Sequence, residues 1–181
     1  MYSLRRFTEE SYTFLKPLLF YITKKDPEVA HDLFVSASRI LRKTNLDNLL
    51  LSYHNGENAS RVEISNAAGF NKNGEIPPIF LKYLGFDRVV VGTVTAESWN
   101  GNSRPRIKRY SKTESLVNWM GLPGEGVERV AENLINHGSH DVPLTINIAS
   151  TPGKTQNYLL RDMEKTIIAL KGLPHMDRLE L

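Results

Sequence analysis

From residue 61 onward the chain alternates short apolar runs with amphipathic ones, and this rhythm constrains the fold more than any other feature. Arg61–Ser65 and Arg88–Val91 read as strands, separated by a helix over Ile76–Leu84 that Gly85 ends. Glu125–Asn136 reads as a helix with Val127, Val130, Ala131, Leu134 and Ile135 apolar, and Pro143–Ile148 as a strand. Tyr158–Leu170 is a further helix, carrying Leu159, Leu160, Ile167, Ile168 and Leu170, and Asp177–Leu181 opens another strand. Strand–helix repeats with short connections imply parallel strands joined by right-handed crossovers. Four such strands are about half the wall of a (β/α)8 barrel, which takes roughly 250 residues. A last strand with no helix to cover it leaves an apolar parallel edge. The expectation is an N-terminal piece of something larger.

A different texture precedes this unit. Residues 1–45 read as two helices, the first over about Thr8 to Ile22 with Pro17 bending or interrupting it. The second starts with Asp26 as cap, Pro27 at the first helical position and Glu28 in the first turn. Val29, Ala30, Leu33, Phe34, Ala37, Ile40 and Leu41 then recur at three- and four-residue spacing. Residues 46–60, polar and containing Asn55-Gly56, form a linker to the α/β unit of residues 61–181.

Composition narrows the function classes. The 181 residues are 40% hydrophobic and 24% charged, too apolar for a disordered chain. Cysteine is absent, which removes disulfides, iron–sulfur clusters and thiolate zinc sites. The longest apolar run falls far short of the about 20 residues of a membrane span. The five histidines show no metal-ligand spacing, so no metal is expected. The net charge of +3 resides in residues 1–45, with eight Lys/Arg against five acids. A basic run, Arg104 to Lys112, has five positive side chains and no acid. It falls inside a long connection, Thr95–Pro123, whose length marks it as functional.

In parallel α/β folds, ligands gather beyond the carboxyl ends of the strands. After the first strand comes Asn66-Ala67-Ala68-Gly69-Phe70-Asn71-Lys72-Asn73-Gly74, where Ala68 and Gly69 let backbone approach a flat ligand and Lys72 offers a cation. After the second comes Gly92-Thr93-Val94-Thr95; the third ends with Asn147; the long connection adds Asn118-Trp119-Met120-Gly121. Each has a plain alternative: a solvated lysine, a turn glycine, an ordinary strand threonine, an asparagine capping the next turn. His31 stands just off the apolar stripe of the second helix, either a surface histidine or a ligand. No P-loop, Gly-x-Gly-x-x-Gly, His-Glu-x-x-His or nucleophile elbow is present.

These segments resemble, in order and spacing, dihydroorotate dehydrogenase of the membrane-associated, quinone-using class. The stretches are Lys-Pro-Leu-Leu-Phe (16–20), Asp-Pro-Glu-Val-Ala-His (26–31), Ala-Ala-Gly-Phe-Asn-Lys-Asn-Gly (67–74), Leu-Gly-Phe (84–86), Gly-Thr-Val-Thr (92–95), Gly-Asn-Ser-Arg-Pro-Arg (101–106), Asn-Trp-Met-Gly-Leu (118–122) and Asn-Ile (147–148). The resemblance implies a (β/α)8 barrel binding FMN, with a helical pair resting on a membrane and forming a quinone tunnel. It implies FMN contacts from Ala68, Gly69, Phe70, Asn71, Lys72, Thr93 and Asn147. It assigns dihydroorotate or orotate to Lys72, Asn118, Trp119, Met120, Gly121 and Leu122, and the quinone site to His31 and Arg109.

The implied activity is oxidation of dihydroorotate to orotate in pyrimidine synthesis, at the cytoplasmic face of the cell membrane or the mitochondrial inner membrane. The basic run then packs on the helical pair and not on nucleic acid. Departures from the family pattern are Asn71 in place of aspartate, Trp119 in place of arginine, and Ala149-Ser150 in place of Gly-Lys. The resemblance puts the catalytic serine in an Asn-x-Ser-x-Pro-Asn loop beyond Leu181. No catalytic residue is therefore expected in this chain, which should be inactive without the C-terminal half of the barrel. A non-catalytic membrane-surface module, or truncated relic, is the alternative.

Overall fold

A computed structural model describes residues 4–43, 63–110, 112–138, 141–173 and 176–181. The expected linker, 46–60, lies outside them. Helix α1 (Leu4–Ile22) and helix α2 (Pro27–Lys43) open the chain. Pro17 does not interrupt α1: it deletes one helical hydrogen bond, at an exposed position. Asp26 caps α2 as expected, its Oδ1 accepting from the amides of Glu28 at 2.8 Å and Val29 at 3.3 Å.

The sheet is parallel. Strands β1 (Val89–Val94), β4 (Leu144–Ile148) and β5 (Met176–Glu180) lie side by side in that order. Val91 pairs with Ile146, and Ile146 with Leu179. The strand expected at Arg61–Ser65 is reduced among the described residues to a bridge from Ser65 to Arg88, followed by one from Asn71 to Val91. Just beyond Ser65, Asn66 bonds to β1 through its side chain instead. Its side-chain amide donates to the Val90 carbonyl at 2.7 Å and accepts from the Val90 amide at 2.9 Å, replacing a backbone rung.

Helices α3 (Pro78–Tyr83), α4 (Val127–Asn136) and α5 (Gln156–Leu170) flank the sheet. Helix α3 is shorter than expected because Pro78 holds Pro77 in extended backbone, at ψ 131°. Ile76, Leu81, Val89, Val91, Val130, Leu134, Leu144, Ile146 and Leu170 form one core, and Val35 of α2 joins it. The stripe of α5 differs from the periodicity reading. Leu160 and Ile168 are exposed, whereas Asp162, Thr166 and Leu170 face inward. The inward carboxylate is satisfied by the Thr151 amide at 2.5 Å, so a polar side chain anchors the loop after β4.

Strand β2 (Ile107–Tyr110) and strand β3 (Ser115–Asn118) form an antiparallel hairpin inside the long connection. Below the sheet, buried Arg88 donates to Glu63, to Thr145 at 3.4 Å and to both oxygens of Asp177 at 2.7 and 2.6 Å. One guanidinium thus ties the segment before β1 to β4 and β5.

Candidate functional site

The carboxyl ends of the parallel strands meet at Gly92, Thr93 and Asn147. Gly92 lies opposite Asn147, and the register shifts at Thr93 before Val94 resumes opposite Ile148. A side chain at Gly92, where φ is 115°, would collide with the Asn147 carbonyl oxygen. Only glycine lets the strands stay this close. The shift turns Thr93 toward the rim, where its hydroxyl donates to the Asn147 side-chain oxygen at 2.5 Å. In this orientation the Asn147 NH2 has no acceptor among the described residues.

The loop after the first segment is pinned to this rim. The Gly69 amide donates to the Gly92 carbonyl at 2.5 Å, and the Gly92 amide to the Asn71 carbonyl at 3.1 Å. Ala67, Ala68 and Gly69 are exposed, and a Cβ built on Gly69 meets nothing within 4 Å. The result is a small-residue shelf beside two amide or hydroxyl groups. Lys72 rises from it, its ammonium donating to the Gly69 carbonyl at 3.2 Å. Burial holds the Lys72 ammonium below the usual lysine value, and Arg106 and Arg104 push the same way against the opposing pull of Asp32 and Glu28. A charge kept in a partly dry place is poised to receive an anion.

Lys72 also lines a cleft of about 370 Å3 between α2 and the long connection. His31, Asp32 and Arg39 form one wall, Trp99, Asn100 and Arg106 another, and Asn73 and Gly124 the floor. Asn73 ties the floor together, accepting from the Glu125 amide at 3.0 Å and the Asn133 side chain at 2.9 Å.

The expected site residues are distributed unevenly. Gly69, Thr93 and Asn147 meet at the rim around Gly92, with Ala68 next to Gly69, whereas Lys72 is tied to the same loop at the Gly69 carbonyl and faces the cleft beside α2. Asn71 is placed differently: its buried side chain donates to the Ile76 carbonyl and accepts from the Ile76 amide at 3.0 and 3.1 Å, leaving only backbone for a ligand. Phe70 turns away to pack against His31 and Phe34. Asn118, Trp119, Met120, Gly121 and Leu122 run from the end of β3 along the 100–102 turn; Asn102 donates to the Trp119 carbonyl at 2.6 Å and the Met120 carbonyl at 3.0 Å.

His31 uses Nε2 on the Phe70 carbonyl at 2.6 Å. A carbonyl only accepts, so that nitrogen carries a proton. Arg109 donates to the Lys25 carbonyl at 3.3 Å and stacks over Phe20, its carbon 5.2 Å from the ring centroid. Both therefore attach the helical pair to the sheet unit, at separate points. Glu28 and Asp32 are the residues that the sequence reading did not single out, while Arg104 and Arg106 belong to the basic run expected to pack on the helical pair and do so through those two acids. The signal was present as two acids one turn apart on α2 and an acid-free basic run far downstream.

A family model described as dihydroorotate dehydrogenase matches residues 58–173. The chain belongs to the dihydroorotate dehydrogenase family. It is 33% identical over 177 residues to dihydroorotate dehydrogenase (quinone) of Acidithiobacillus ferrooxidans, covering 91% of this chain and 47% of that protein. It is 35% identical to the protein of the same description from Halobacterium salinarum, covering 83% and 44%. The chain thus spans about half the length of the curated relatives it matches. Among solved structures, DHODH from Eimeria tenella in complex with ferulenol has a TM-score of 0.63 at 23% identity, over 85% of this chain and 43% of that one. The ligand-free form gives 0.62 at 24%. That likeness shows the fold: the parallel sheet and its helices are an open part of a barrel of the dihydroorotate dehydrogenase kind.

Proposed function

We propose that this chain supplies the flavin- and substrate-facing rim of a quinone-dependent dihydroorotate dehydrogenase, with FMN as cofactor. The carrying observation is the convergence of the Ala68–Gly69 shelf, the Thr93–Asn147 pair and Lys72 at the carboxyl edge of the parallel strands. These residues fit a flat, hydrogen-bonding ring system: the shelf has open space where a side chain would stand, and the Asn147 NH2 is free to donate at its edge. FMN bound there would accept two electrons from dihydroorotate and release them to a quinone.

The chain's own groups do the positioning. Lys72, a cation facing a partly desolvated cleft, binds the substrate carboxylate. The 118–122 turn presents Asn118 and backbone groups to the ring edge, and the pair fixes orientation before reaction. Residues 1–45 are proposed to rest on a membrane and 61–181 to form barrel wall, to be completed by a C-terminal half. No helix among the described residues is long and apolar enough to cross a membrane. Phe14, Leu18, Tyr21 and Ile22 of α1 and Val29, Leu33 and Ile40 of α2 are nevertheless exposed, with Lys16, Lys24 and Lys25 nearby in sequence. This pattern suits a surface-lying pair, on the cytoplasmic leaflet or its mitochondrial counterpart.

Equilibrium dialysis against FMN tests the reading. The wild-type chain retains flavin, and Asn147→Leu or Thr93→Val loses it. Equal retention by all three, or none by the wild type, refutes it.

A further inference from the structure

Glu28 and Arg106 are both charged and both buried, at 4% and 5% exposure, 78 residues apart in sequence. Glu28 Oε1 accepts from Arg106 Nε at 3.0 Å and Nη2 at 2.7 Å, and its Oε2 accepts from the Arg106 backbone amide at 3.2 Å. The remaining corner of the guanidinium turns the other way: Nη1 donates to the carbonyls of Asn100 at 2.8 Å and Asn102 at 3.4 Å. The Arg106 carbonyl accepts from the Trp119 amide at 2.9 Å, and Asn102 in turn holds Trp119 and Met120. One residue therefore joins helix α2 and the 100–102 turn through its side chain and the 118–121 turn through its backbone carbonyl. Space forbids slack: a Cβ on Gly101 would strike the Met120 carbonyl, and one on Gly121 would lie 2.8 Å from the Asn102 side chain. Arg104 adds an outer tie, reaching Asp32 at 3.0 Å and Glu28 at 3.3 Å.

A buried ion pair seldom stabilises a fold more than an apolar pair of the same size. What it adds here is direction, because the planar fork of arginine holds a carboxylate on one edge and two carbonyls on another, which lysine cannot do. We propose that Glu28 and Arg106 are positioning residues through which helix α2 sets the geometry of the 118–121 turn, so that the seating of the helical pair tunes substrate binding. The substrate part rests on the function proposed above; the mechanical part does not.

The test uses the full 181-residue chain with Trp99→Phe, which leaves Trp119 as the lone indole. Glu28→Gln removes the charge and Arg106→Lys removes the fork. Each should speed amide exchange at Asn102 and Trp119 about tenfold or more, with Val130 and Leu134 in α4 unchanged. Each should also weaken orotate quenching of Trp119 about tenfold, and the double variant should be no worse than either single one. Unchanged exchange at Asn102 and Trp119, equal acceleration in α4, or additive effects in the double variant would overturn the proposal. Local loosening in the variants without any orotate quenching in the parent chain would uphold the clamp and count against the substrate reading alone.

Discussion

Gly92→Ala is the sharpest perturbation of the rim. The added methyl would overlap the Asn147 carbonyl oxygen and lie 2.8 Å from the Val94 amide nitrogen, both backbone atoms of paired strands. Neither can swing away as a side chain would. The backbone also sits at φ 115°, a conformation that costs a non-glycine residue about 1–3 kcal/mol. Overpacking a close-packed site adds about 1–3 kcal/mol. A combined loss near 3 kcal/mol, divided by a urea slope of about 2 kcal/mol/M, moves the unfolding midpoint down by roughly 1.5 M. Urea titration followed by circular dichroism reads this directly. A shift below about 0.3 M would mean that β1 and β4 are not in the described register, and the rim built on it would fall.

Other substitutions separate stability from binding. Lys72→Met should leave the chain as stable at pH 7 as before, or more so, while orotate binding disappears. The penalty for burying this ammonium is present at neutral pH and is relieved as pH climbs from its lowered value to the ordinary lysine one. Thermal melts beside binding isotherms check both halves. Leu134→Ala empties a core position and should cost about 2–5 kcal/mol in chemical unfolding. Asp26→Ala removes the α2 cap and should cost about 1 kcal/mol by the same measurement.

For Glu28, burial pushes the carboxyl upward. The hydrogen bonds from Arg106 and the charges of Arg104 and Arg106 outweigh that, so its titration lies below the usual glutamate value. Its stabilisation is complete above the ordinary value and is lost as pH falls through the lowered one. Acid titration of wild type against Glu28→Gln should therefore converge at low pH; parallel curves throughout would contradict the pairing.

What the sequence disclosed follows from how strongly each element is buried. Val89–Val91 is packed on both faces and its uninterrupted apolar run announces a parallel strand, while Leu144–Ile148, equally buried, keeps Leu144, Ile146 and Ile148 apolar around Thr145 and Asn147. Once those strands are parallel, Thr93 and Asn147 must share an edge, and Lys72 follows from the loop beside them. The β2–β3 hairpin gave no such signal because Lys108, Arg109, Leu116 and Val117 are all exposed, leaving no alternation to read. The inward Asp162 of α5 was hidden because it is buried as a hydrogen-bond acceptor rather than as an apolar group. Asn66 joins the first segment to β1 through its side chain, imitating a rung of the sheet that composition does not announce. The α2 wall of the cleft depends on ion pairs between distant segments, and periodicity carries no information about those. Family likeness carried Arg109 to the helical pair, where it stacks on Phe20.

The account stands most directly on a difference spectrum. Chain loaded with FMN is titrated with orotate, and the visible bands of the flavin are followed in wild type and Lys72→Met. A common rim requires a saturable change in the wild type that vanishes in the variant while flavin stays bound. Bands indifferent to orotate, or equally responsive without the lysine, would place the two ligands in separate environments and contradict the shared site.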